Sequence, residues 1–265
     1  MTGLKANEEH SDRRRNYMLD PDLRGYLETN SDIVTVISKP VSEKFVGALS
    51  AKSENPILFE NITEKPGYSV LDILLKHRSL QARALGVPED EYLKTLAYRL
   101  RQPPRGFKTV ENAPVQEVIY SGSDVDLTKL PIFKHSKENE PAIGTMVFLC
   151  DPDTGFHNTM HCYTTITGPK TGNGLFLTPH SVEILQKWID RGADEMPIAY
   201  VIGLPPACEI MANFSGIHTD IWGEAEMFGT ILDQDFETVK CKTIDMQVPA
   251  NAEMVFEGVV KLKQR

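Results

Sequence analysis

Residues 143–167 encode a strand, a tight turn and a returning strand, and this unit most limits what the chain can fold into. Residues 143–150 (IGTMVFLC) are apolar and rich in β-formers. Asp151-Pro152-Asp153-Thr154-Gly155 follows, a run of residues that set turn dihedrals. Residues 159–167 (TMHCYTTIT) then alternate polar and apolar side chains and are expected to pair back as a hairpin. An antiparallel sheet is therefore the expected centre of the second half.

The first half has a different texture. Asp20-Pro21-Asp22 is expected to start a helix with Leu23, Tyr26 and Leu27 on one face, and residues 33–37 (IVTVI) and 56–61 (PILFEN) to form strands. Ser69 is expected to cap a helix through Ile73, Leu74 and Leu75. Residues 79–85 suit a helix ended by Gly86, and residues 90–101 suit another. Between the halves, the aperiodic, proline-bearing stretch RQPPRGFKTVENAPVQ is expected to be a linker.

After the hairpin, residues 175–177 suggest a short apolar strand. Residues 181–191 form the clearest helix pattern, with Val182, Leu185, Trp188 and Ile189 on one face and Gly192 as its stop. Residues 198–204 are expected to be a buried strand and residues 222–232 a helix. Residues 254–263 are apolar and β-prone, and no turn or cap follows them, so the chain is expected to stop in mid-strand. The expected organisation is α+β: a disordered arm over 1–18, a mixed α/β unit over 19–112, and a sheet-rich domain over 113–265.

Charge and composition exclude several functions. A net charge of −9 argues against a general binder of nucleic-acid phosphates. No apolar run reaches the roughly 18 residues of a membrane span, and the basic N-terminus lacks the apolar core of a secretory signal. Cys150, Cys162, Cys208 and Cys241 are widely spaced, with no CxxC pair, which favours buried thiols in a reducing cytoplasm.

Three constellations could carry chemistry. The turn Thr178-Pro179-His180-Ser181 precedes a helix, whose free N–H groups and dipole suit a phosphate; a plain serine cap with an exposed histidine is the alternative. Asn158 and Glu224 are oxygen donors on different elements that could share a hard divalent cation; a turn asparagine and a helix-start glutamate are the alternative. His157 and His161 are too far apart along a strand to chelate one ion well, and His218 is expected to be solvated. No GxSxG, P-loop or GxGxxG motif is present.

The ordered segments DVDLTKLPI, PAIGTMVFLCDPDTGFHN, the TPHS turn, the MPI and GLPP flanks of residues 196–206, EAEMFG, VKCKT and VPANAEMVFEG resemble the UbiD family of carboxy-lyases. DLRGYLE, PILFENI and LLKHRSLQARALGV extend the resemblance over most of the chain. Within the family, the phenylacrylic and ferulic acid decarboxylase branch is the most similar.

The resemblance implies an FMN-binding split β-barrel for the second domain. It implies prenylated FMN as cofactor, with Mn²⁺ (or Mg²⁺) at its phosphate and K⁺ nearby. The implied metal ligands are Asn158, Glu224 and either His180 or Ser181. Thr159 and Ser215 join them as cofactor-binding residues. The implied reaction is reversible, non-oxidative decarboxylation of an aromatic or α,β-unsaturated acid, in which the cofactor is the electron sink.

The sequence also departs from the family. Tyr163 occupies the catalytic arginine position and offers a hydrogen bond without a fixed charge, and Ile143 occupies a cofactor-contacting threonine position. The catalytic EGPFGE-type segment and the C-terminal domain lie beyond Arg265. Glu253 and Glu257 do not correspond to the catalytic glutamates. Implied partners are a flavin prenyltransferase and either a second copy or a complementary C-terminal chain. A non-catalytic cofactor-binding chain is the alternative to a carboxy-lyase.

Overall fold

The computed structural model describes residues 19–20, 22–134, 140–213 and 223–263; the expected arm over residues 1–18 lies outside them. Helix α1 (Leu23–Thr29) starts where the Asp22 carboxylate accepts the Gly25 N–H at 2.7 Å. Strand β1 (Thr35–Ile37) leads through α2 (Glu43–Lys52) into β2 (Ile57–Phe59), which pairs parallel to β1. Strand β3 (Val70–Asp72) adds antiparallel to β2. Val46, Ile57, Phe59 and Ile62 are the buried centre of this small unit.

Strand β3 overturns the helix expected from Ser69 to Leu75. The Ser69 hydroxyl donates to the Glu60 carbonyl rather than to a helix end, and Ile73 takes φ 66°. That value is costly for a β-branched residue and incompatible with a helical turn. Pairing of Val70–Asp72 with β2 outweighs the local helix pattern.

Helix α3 (Arg78–Ala84) closes on Gly86 at φ 64°, and a 3₁₀ turn (Glu89–Glu91) leads into α4 (Tyr92–Arg99). The stretch expected to be a linker contains strand β4 (Phe107–Val110). Its short FKTV pattern, half-exposed, is hidden among prolines in the sequence.

Strands β5 (Ala142–Cys150) and β6 (His157–Gly168) form the expected hairpin, with Asp151 N–H bonded to the Phe156 carbonyl and Gly155 at φ 76°. Strand β7 (Thr171–Gly174) continues the meander, so the short strand comes just before residues 175–177; Leu175 and Leu177 are exposed. Helix α5 (Pro179–Asp190) follows, then β8 (Glu195–Ile202) and α6 (Pro206–Ala212). A 3₁₀ turn (Glu224–Met227) runs into α7 (Phe228–Leu232), ending at Asp233 in the left-handed conformation. The single helix expected over residues 222–232 is thus two short pieces, with Trp222 outside the described residues. Strands β9 (Phe236–Lys240), β10 (Gln247–Pro249) and β11 (Met254–Lys261) complete the chain.

The larger sheet has the order β11-β8-β5-β6-β7, and a second has the order β10-β9-β4. β5 pairs with β6 along its whole length but with β8 only at Met146–Phe148. The strands diverge on either side of that short ladder, so the sheet curls into a half-barrel.

Both faces of β5 are buried. Met146 and Phe148 point into a core with Ala207, Cys208, Met211 and Phe228, while Val147 and Leu149 point into another with Met160, Cys162 and Ile184. This is why 143–150 is a continuous apolar run. Helix α5 covers the second core with Ser181, Ile184, Leu185 and Trp188, an i, i+3, i+4, i+7 stripe. The expected face was misphased: Val182 and Ile189 are exposed. The fully buried, polar Ser181 disguised the inward side.

Glu253 pairs with Arg24 at 2.8 Å, and Glu257 accepts the Lys242 and Thr243 N–H groups at 2.8 and 2.6 Å. Both glutamates serve tertiary contacts.

Candidate active site

The first residues of β6, the 3₁₀ turn Glu224–Met227 and the start of α5 meet at one point. The turn can lie against β6 because residue 223 is glycine: a Cβ there would stand 2.5 Å from Glu226 Oε2 and 2.6 Å from the His157 carbonyl carbon. This approach carries Glu224 and Glu226 to the strand. Glu226 Oε1 accepts the His157 N–H at 2.9 Å, and Glu224 Oε2 accepts the Thr159 N–H at 3.1 Å. Glu224 Oε2 also accepts the Asn158 side-chain N–H, while Nδ1 of His180 lies 3.5 Å from Glu224 Oε1.

The structure therefore brings Asn158, Thr159, His180 and Glu224 together. Ser181 is turned elsewhere: its hydroxyl donates to the Thr178 carbonyl and accepts from the Thr178 hydroxyl, both at 2.8 Å. It ties down the first turn of α5, and of the two residues considered at this position His180 faces the carboxylate. Ser215 and His218 lie outside the described residues.

The electrostatics of this cluster are unbalanced. Burial pushes the Glu224 carboxyl above its ordinary range; its own N–H, the Thr159 N–H and His180 pull the other way without cancelling the effect. Asn158 Oδ1 and Thr159 Oγ1 are buried with no hydrogen-bond partner. A divalent cation between Glu224 and Asn158 would neutralise the carboxylate and engage the amide oxygen once the amide turns over. The donor set thus fits a hard cation. Among the described residues no three His, Cys, Asp or Glu side chains cluster as metal ligands, so the amide would have to be one of the ligands.

His157 and His161 do not act as a pair. His157 Nδ1 faces Glu226 at 3.5 Å and its Nε2 accepts the Gln247 N–H at 3.3 Å, which makes it a buried brace. His161 Nε2 faces Glu209 of α6 at 3.1 Å. The sequence reading missed Glu209 and Glu226; the signal for Glu209 was an acidic residue in an otherwise apolar run, and for Glu226 its place two residues after Glu224. Tyr163 lies further along β6, opposite Gly144 and 49% exposed. By strand alternation it shares a face with Thr159 and His161 and not with Asn158. A separate groove of about 380 Å³, lined by Leu204, Pro205, Leu232, Phe236 and Glu237, contains none of these residues.

No helix among the described residues is long and apolar enough to cross a membrane. Residues 108–265 match the family model described as UbiD, 3-octaprenyl-4-hydroxybenzoate carboxy-lyase Rift-related domain. The chain is 29% identical over 247 residues to anhydromevalonate phosphate decarboxylase of Methanosarcina mazei, covering 92% of this chain and 55% of that protein. It is 33% identical over 158 residues to ferulic acid decarboxylase 1 of Saccharomyces cerevisiae, covering 58% of this chain and 31% of that one. An evolved dimeric form of the UbiD-class enzyme HmfF from Pelotomaculum thermopropionicum, solved with prFMN, superposes with TM-score 0.81 at 29% identity, over 91% of this chain and 57% of that chain. The chain spans about half the length of curated relatives such as the Methanosarcina enzyme. With the family model covering more than half of it, this chain belongs to the UbiD family.

Proposed function

We propose that this chain is the cofactor-binding part of a carboxy-lyase that uses prenylated FMN to decarboxylate an aromatic or α,β-unsaturated acid. The observation that carries the reading is the meeting of buried Asn158 and Glu224 with the partly exposed His180, with Asn158 Oδ1 left unpartnered. Decarboxylase relatives and an HmfF structure containing prFMN support it.

In this reading Asn158, Glu224 and His180 would hold Mn²⁺ or Mg²⁺, with K⁺ as a further ion, and the metal would neutralise the cofactor's phosphate. Thr159 and Ser215 flank the flavin, and the sheet-rich unit over residues 113–265 forms the binding domain. The first-turn N–H groups of α5 add a positive field at the same place. When bound, prenylated FMN supplies the electron sink for CO₂ loss. The protein contributes orientation, exclusion of water, and a hydrogen-bond donor at Tyr163 where the family has arginine. A flavin prenyltransferase supplies the cofactor, and a second copy or a complementary chain completes the enzyme.

FMN titrated into the purified chain, followed by flavin fluorescence with and without Mn²⁺, tests the site. Mn²⁺-dependent binding is expected, with the dependence lost in Asn158→Ala and Glu224→Gln. Binding that ignores both Mn²⁺ and these substitutions would refute the assignment.

A further inference from the structure

The groove beside Leu204 and Phe236 is a second concavity, apart from the cation cluster. Its volume of about 380 Å³ falls in the usual range for small-ligand sites. The floor is apolar: Leu204, Leu232, Phe236 and Pro249 line it, and all four are buried. Gln234 and Asp235 come to its wall because α7 ends abruptly. Asp233 takes the left-handed conformation, and the Gln234 N–H returns to the Gly229 carbonyl at 3.0 Å. The chain thus turns back across the end of α7 before β9 begins.

The polar groups on this wall are unbalanced. Gln234 Nε2 is buried with no hydrogen-bond partner. A donor withdrawn from water and left unpaired is costly, and an acceptor brought by a ligand removes that cost. The terminal torsion of a glutamine is soft, so the N–H can turn to an oxygen held in the groove.

Charge narrows the ligand further. Among the described residues that line the groove there are two carboxylates, Asp235 and Glu237, and no cationic side chain. Glu237 is held by Lys108 Nζ at 2.9 Å, whereas Asp235 is exposed and has no ion pair among the described residues. Lys108 offsets one of the two charges, so the groove keeps a net negative charge. An acid anion meets repulsion here, which separates this groove from the decarboxylation proposed above.

We propose that the groove binds a small amine, with its cation at Asp235, an apolar body on the floor around Phe236, and a neutral oxygen that accepts the Gln234 N–H. The site does not depend on the carboxy-lyase reading.

Phenylalaninamide carries all three features. Its N-acetyl derivative keeps the body and the oxygen and loses the charge, and hydrocinnamate has the opposite charge. Each is titrated into the whole chain by calorimetry, with the Gln234 side-chain amide followed by NMR and identified by its loss in Gln234→Leu. Wild type is expected to bind phenylalaninamide about threefold tighter than the acetylated form, as a solvent-exposed ion pair does, and hydrocinnamate most weakly. Asp235→Asn is expected to erase the preference for charge, and Gln234→Leu to weaken the amine and its acetylated form alike. Because the Gln234 N–H has no partner in the free chain, Gln234→Leu should leave the urea midpoint unchanged or raise it, whereas loss of a structural glutamine would lower it. No saturable binding of phenylalaninamide up to about 10 mM, an unmoved Gln234 amide signal, or a charge preference that survives Asp235→Asn would overturn the proposal. A peptide amide extended by two alanines that binds about tenfold tighter would make the occupant a chain terminus and overturn the small-amine assignment.

Discussion

Replacing Gly223 by alanine would force apart the two elements that bring Asn158 and Glu224 together. The backbone at Gly223 (φ −67°, ψ 151°) is open to any residue, so the substitution carries no dihedral penalty and its effect is steric. The new methyl would lie 2.6 Å from the His157 carbonyl carbon, whereas packed carbons sit about 3.5 Å or more apart. The obstacle is backbone within a five-stranded sheet and cannot swing aside, so the 3₁₀ turn must retreat by about 1 Å. The Glu226–His157 N–H bond would lengthen from 2.9 Å to about 3.9 Å, and the Glu224–Thr159 bond similarly, beyond useful hydrogen-bond range. Overpacking of this kind costs about 1–3 kcal/mol, and the loss of either charge-assisted bond adds to it. We expect Gly223→Ala to lose about 3 kcal/mol in urea-unfolding experiments, with Mn²⁺-dependent FMN binding abolished at temperatures where the variant is still folded. An alanine variant with an unchanged midpoint and normal flavin binding would refute the close-approach argument.

Three further outcomes follow from the packing and the charges. Phe228 is fully buried, edge-on to Phe148 at 6.0 Å and to Phe236 at 5.2 Å, so Phe228→Ala is expected to cost about 3–5 kcal/mol by chemical denaturation; a loss under 1 kcal/mol would contradict its central place. Burial raises the Glu224 pKa in the folded state, so protonation favours folding. Without metal, stability should be fully present below the ordinary carboxyl range and decline as pH rises through the raised value, and Glu224→Gln should flatten that decline; an identical pH profile in the variant would count against it. Burial pushes the Cys150 thiol to about 11 and the Cys241 thiol to about 12, leaving thiolate fractions near a thousandth or less at pH 8. Iodoacetamide should therefore label neither at a rate near that of a free thiol, and rapid labelling of the folded chain would show the burial to be wrong.

The hairpin and the meeting of Asn158 with Glu224 were legible in the sequence for different reasons. The hairpin is local: an apolar run, a turn dense in Asp, Pro and Gly, and an alternating return. The Asn158–Glu224 approach is not local, and its residues alone favoured a turn asparagine and a helix-start glutamate; family resemblance pointed to their meeting. Elements fixed by distant partners were missed. β4 is a strand because β9 lies beside it, and Val70–Asp72 is a strand because β2 does. The α5 face was misread because Ser181, a polar residue, is wholly buried by its bonds to Thr178. Helix α6, with Glu209, gave no clear signal, since Pro206–Ala212 is short and begins on the second of two prolines.

The parallel pairing of β4 with β9 has a consequence for how the molecule assembles. The Lys108–Glu237 contact across that pair joins residues 129 apart in sequence, whereas the β5–β6 hairpin closes across a turn of a few residues. Loop-closure entropy favours the hairpin first and the long closure late. By the same argument Asn158, beside the hairpin turn, is expected in place before Glu224, 66 residues further on. A ribosome releasing this chain is expected to expose Asn158, on a finished hairpin, before Glu224 emerges.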